Sequence, residues 1–167
     1  MAAGSTYTPI ATQTLGSSAS TVTFSSIPST YTDLVLIVNS ASNTGTNYPN
    51  MRFNSDSGTN YSRTALWGNG STQGSGRDSN ITIASLCYNS ANTTTANGFT
   101  AMAHIMNYAN TSTYKTAIVR ANNAGNAVEA IVDLWRSTAA ISSIVVGVDS
   151  NSYAAGSTFT LYGIAAA

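Results

Sequence analysis

Val128-Glu129-Ala130-Ile131-Val132-Asp133-Leu134-Trp135-Arg136 is the stretch on which the fold turns. At helical spacing, Val128, Ile131, Val132 and Trp135 share a face, and Asn126 with Glu129 resembles a capping box. At period two, Val128, Ala130, Val132 and Leu134 line one face, with Glu129 and Asp133 on the other. β-branched residues are frequent here and the flanks are strand-like, so the segment reads as a strand. Glu129 and Asp133 then read as a solvated or salt-bridged face. A strand here leaves the chain without a helix.

Strand signals recur on both sides of this segment. They cover Thr8 to Leu15, Thr21 to Ile27, Leu34 to Val38, Asn50 to Asn54, Tyr61 to Trp67, Ile81 to Tyr88, Phe99 to Tyr108, Tyr114 to Ala121, Ile141 to Val148 and Thr158 to Ile164. Leu34-Val35-Leu36-Ile37-Val38 is continuously apolar, which suits a central strand covered on both faces. Gly68 to Gly76 reads as a loop, and Asn54 to Gly58 as an Asx-rich hairpin turn. The spacing predicts an all-β fold: a two-sheet β-sandwich, jelly-roll-like, of about eight to ten strands. One sandwich domain is expected over residues 10–167. Residues 1–9 read as an N-terminal arm, small and polar, with Tyr7 and Pro9 as its anchoring groups. Ordering such an arm costs about 1–2 kcal/mol per residue, which predicts docking on another chain.

Composition narrows the function. Of 167 residues, 7% are charged and 43% hydrophobic, with six basic and six acidic residues and zero net charge. Globular proteins carry about a quarter charged residues. A surface kept wet by Ser, Thr, Asn and Gly desolvates more cheaply than a charged one, which suits packing against other protein. Assembly through such a surface is expected to respond weakly to salt. No run clusters Lys and Arg, so nucleic acid is not an expected partner. No apolar run reaches the length of a membrane helix, so no membrane partner is expected. The first residues lack a basic segment followed by an apolar one, so no secretory signal is read there.

Catalytic readings fail on their ingredients. Cys87 is the single cysteine and His104 the single histidine. Cys87 lies in a strand-like run without a basic neighbour and reads as a buried apolar residue. His104 shares a face with Met102 and Met106 and reads as a hydrogen-bonded, packed or interfacial histidine. The pair cannot build a zinc site alone. No Gly-x-Ser-x-Gly elbow is present. No catalytic, cofactor or metal residues are assigned and no cofactor is expected. Aromatics remain. Tyr48, Trp67 and Tyr114 lie near loop edges, where rings anchor partners or stack on sugars. With Tyr7 and Pro9 they are the candidate partner-binding residues.

Several segments are familiar together: Thr14 to Pro28 running into Tyr31 to Leu36, then Met51 to Ser62, Gly68 to Ser71, Leu134 to Ser137 and Ala154 to Ile164. In this order they resemble small virion structural proteins of tailed bacteriophages, particularly those of aquatic hosts. The resemblance implies a jelly-roll-like sandwich displayed on a virion, with no enzymatic activity. It implies a capsid decoration, or cement, protein made in the bacterial cytoplasm. Such a protein sits on the outer capsid as a homotrimer and takes the major capsid protein as partner. A receptor- or glycan-binding fibre tip is the alternative, with a host surface glycan as ligand.

Overall fold

The computed structural model describes residues 6–165, and every regular element among them is a strand. In chain order they are β1 (Tyr7–Thr14), β2 (Thr21–Phe24), β3 (Asp33–Ser40), β4 (Pro49–Phe53), β5 (Tyr61–Gly68) and β6 (Gln73–Ile81). Then come β7 (Ala84–Ser85), β8 (Phe99–Met106), β9 (Lys115–Asn123), β10 (Ala127–Trp135), β11 (Ile144–Val148) and β12 (Thr158–Ile164). The deciding segment is therefore a strand. It pairs along its length with β9 and with β5, both antiparallel.

Two antiparallel sheets form. One has eight strands in the order β1-β12-β3-β8-β9-β10-β5-β6, the other four in the order β2-β11-β4-β7. From β2 to β5 each strand lies in the opposite sheet from its predecessor, and the chain changes sheet again around β7 and β11. This wrapping makes the sandwich jelly-roll-like. A meander of β8, β9 and β10 fills the centre of the large sheet.

Alternation assigns the core. Leu34, Leu36 and Val38 of β3, Val119 of β9, and Phe159 and Leu161 of β12 point inward from the large sheet. They join Phe24, Met51, Phe53, Ile144 and Val146 of the small sheet in one buried cluster. Each such side chain contributes about 1.5–3 kcal/mol through burial. Phe53, Tyr61 and Trp135 close one end, with ring centroids 5.6–6.3 Å apart. The expected Asx-rich turn sits beside them. Asn54 and Ser55 take positive φ, and the Asp56 carboxylate accepts bonds from Gly58, Asn60 and the Trp135 indole.

Twelve strands exceed the eight to ten expected, and two differences have physical causes. The Gly-rich stretch is no loop beyond residue 72, because Gln73 to Gly76 begins β6. Its glycines serve packing: a Cβ on Gly74 would stand 2.6 Å from the Trp67 ring, and one on Gly76 would overlap the Tyr88 hydroxyl. The rings lie where side chains would be, so the strand carries no apolar alternation to read. Conversely, Ile81 to Tyr88 is not one strand. Ile81 ends β6 and only Ala84-Ser85 pairs with β4, because the segment turns between sheets.

The arm boundary at residue 9 falls inside β1. Tyr7, Thr8 and Pro9 pair with Ile164, Gly163 and Tyr162 of β12, so this chain's own sheet orders them. Pro9 is tolerated because β1 is an edge strand with a register shift between Pro9 and Ala11, where a missing N–H costs no ladder bond. Met1 to Ser5 lie outside the described residues.

Gly76→Ala is expected to lower stability by about 1–3 kcal/mol through overpacking against Tyr88. Gly16→Ala is the control, since nothing lies within 4 Å of a Cβ there. It is expected to stay within about 0.5 kcal/mol of wild type in urea unfolding.

Candidate docking surface

Inward on β10 stand Glu129, Ile131, Asp133 and Trp135. Glu129 is 5% exposed and Asp133 1%. The reading of both carboxylates as a solvated face is thus corrected. Main-chain amides replace water as their partners. The Glu129 carboxylate accepts the N–H groups of Tyr88, Asn89, Ser90 and Ala91 at 2.5–3.1 Å. Asp133 Oδ1 accepts the Ser85 N–H at 3.0 Å, while Oδ2 has no hydrogen-bond partner. Burial pushes the Asp133 carboxyl up to about 8, against the opposing pull of the Ser85 bond and the Arg63 charge. Arg63, on the same side of β5, donates to Asp78 at 2.8 Å and to the Ser85 hydroxyl. Its guanidinium lies 4.7 Å over the Tyr88 ring. The crossover from Ala84 to Ala91 is held to the large sheet by these hydrogen bonds.

Period two fixes the other side. With Glu129 and Asp133 turned in, Val128, Ala130, Val132 and Leu134 must face out. Val128 is 63% exposed and Val132 46%, beside Leu66 at 62% and Ile118 at 44%. Ala130 stands between Leu66 of β5 and Arg120 of β9, and Val132 between Thr64 and Ile118. The four aliphatic side chains form one strip across β5, β10 and β9, over an open depression lined by Leu66, Gly68, Arg120, Asn122, Val128 and Ala130. His104 shares this outer face, opposite Val35 and Ile118. It is half-exposed and hydrogen-bonded to Asp33 at 2.9 Å.

The sequence-selected aromatics are not gathered into one site. Tyr7 and Pro9 lie on β1 at one edge of the large sheet, and the Trp67 ring packs on Gly74 of β6 at the other. Tyr7 meets Tyr162 edge-on at 6.1 Å. Tyr114 is exposed in the turn before β9. Tyr48 belongs to a separate polar cleft with Asn50, Arg63, Tyr88 and Asp149, where its N–H donates to Asp149 at 2.8 Å. The strip was missed because Val128 and Val132 read as the core face. The usable signal was Ile131 and Trp135 on the carboxylate side: a larger apolar pair that competes for the interior.

Cys87 is buried, and desolvation raises its thiol above the ordinary range. Among the described residues, no group of three or more His, Cys, Asp and Glu is placed to hold a metal ion. Among the described residues, no helix is long and apolar enough to cross a membrane. Comparison of the chain with protein-family models, curated proteins and solved structures found no match.

Two expectations follow from the inward carboxylates. Between the ordinary value of 3.8 and about 8, only the folded chain keeps the Asp133 proton. This group's contribution is therefore full at low pH, falls as pH rises through that window, and levels off above it. Asp133→Asn removes the titration. Its stability relative to wild type, from urea midpoints, is expected to be greater at about pH 9 than at about pH 5. Glu129→Gln weakens the bonds to four amides. Amide exchange at residues 88–91 is expected to speed by about tenfold or more, from bonds of about 1.5–3 kcal/mol each to a charged acceptor.

Proposed function

We propose that this chain is a non-enzymatic structural protein of a tailed-bacteriophage virion. It acts as a decoration (cement) protein that binds the outer capsid surface and stabilises the head. The carrying observation is the aliphatic strip of Leu66, Ile118, Val128 and Val132, exposed on the outer face of the large sheet. Contiguous exposed apolar surface on a soluble fold marks a contact site. The low charge content and the resemblance to phage virion proteins support the same reading. The major capsid protein is its partner on the head, and the decorating unit is a homotrimer made in the bacterial cytoplasm.

Copy number tests this directly. Quantitative mass spectrometry of purified particles is expected to find the chain in numbers comparable to the capsid subunit, and light scattering to find a trimer. A handful of copies per particle instead supports the second reading, a glycan-binding fibre tip. That reading draws on the Tyr48 cleft, where Tyr88, Arg63 and Asp149 put aromatic rings beside a donor and an acceptor.

A further inference from the structure

Zero net charge conceals an uneven placement of charge. All six acidic residues are already engaged. Glu129 and Asp133 are buried, Asp78 is paired with Arg63, and Asp56 caps the β4–β5 turn. Asp33 is held by His104 and the Asn107 N–H, and Asp149 by the Tyr48 N–H. The six basic residues divide differently. Arg63 meets a carboxylate, while Arg52, Lys115 and Arg136 donate to main-chain carbonyls. Arg77 and Arg120 remain. Both are exposed, and neither has an oxygen acceptor among the described residues. The Arg120 guanidinium donates to the Met102 sulfur, at 3.1 Å.

Both arginines stand on the outer face of the large sheet and bracket the strip. Arg120 of β9 lies opposite Ala130. Arg77 of β6 lies opposite Thr64, which lies opposite Val132. β10 and β5 run between them, so three strand spacings set the two Cα atoms roughly 15 Å apart. Asp33, already bonded to His104, is the one carboxylate on this face among the described residues.

We infer that this face docks a protein surface carrying an apolar ridge flanked by carboxylates, which meet Arg77 and Arg120. The inference rests on the reading of the chain as a virion docking protein and names the contact it uses. A second copy of the chain fits poorly. Its own carboxylates are engaged, and face-to-face pairing about a two-fold axis would set arginines against arginines. Nucleic acid needs more cations than two for useful affinity at physiological salt. Composition alone leads to the expectation of a weak salt response, and this inference differs from it. Contacts between these guanidiniums and carboxylates make association salt-dependent.

The test titrates purified full-length protein onto capsids of the encoding phage that lack it. Three samples are compared: wild type, the Arg77→Ser/Arg120→Ser double variant, and the Leu66→Ser/Val132→Ser double variant, each first shown folded by circular dichroism. Each double variant is expected to bind about tenfold weaker or worse, and the arginine variant to lose most of the salt dependence. If wild type binds and both variants match it, this face is not the dock and the inference falls while the virion reading stands. If wild type does not bind, the virion reading itself falls and takes the inference with it. A Leu66→Ser/Val132→Ser protein that changes oligomeric state in light scattering would assign the strip to a second copy and overturn the inference. Wild-type binding to vesicles of anionic lipid as tight as to capsids would overturn it equally.

Discussion

The carboxylate of Glu129, turned inward against four main-chain amides, organises much of this molecule. A crossover between sheets brings N–H groups inside with no strand to receive them. Each left unpaired costs about 1–3 kcal/mol. One anion satisfies several at once, and a charged acceptor makes stronger bonds than a neutral one. Asp133, four residues along β10, accepts the single N–H of Ser85. These contacts go with one facing of β10, carboxylates inward. Everything on its other side follows, because period two allows no independent choice.

The exposed strip is thus a consequence of internal accounting. Ile131 and Trp135 occupy the interior beside the acids, and the smaller Val128, Ala130 and Val132 are displaced outward. In an isolated monomer this arrangement leaves stabilising burial unused. A surface that a partner covers recovers it. The engagement of every acidic side chain within the fold has a second consequence: the uncompensated cations end up on the same face as the strip. Neutral composition and a directional surface coexist for this reason.

Much of the fold was legible because hydrophobic alternation is a local signal. Phe99 to Met106 and Thr158 to Ile164 alternate, and Leu34 to Val38 is legible as an unbroken apolar run. β6 was not legible, since its packing atoms belong to Trp67 and Tyr88 and its own glycines only make room. The inward turn of Glu129 was not legible either. Its partners lie 38 to 41 positions away, and nothing in a carboxylate's neighbours announces distant amides. For the site, the aromatic survey selected real surface residues such as Tyr7 and Tyr114, but a rule that rates rings above aliphatics passes over Val128 and Leu66. Arg77 and Arg120 stand out only after every acid has been assigned a partner.

The most direct test of this account is the sidedness of β10 in the isolated, folded protein. Cysteine is placed singly at positions 128, 131 and 132, and maleimide labelling rates are measured under native conditions. Buried Cys87, 3% exposed, supplies the unreactive background. Val128→Cys and Val132→Cys should label rapidly and Ile131→Cys only on unfolding. Rapid labelling at 131 with protection at 128 and 132 would place the aliphatic residues inside and the carboxylates in water. The docking face would then not exist.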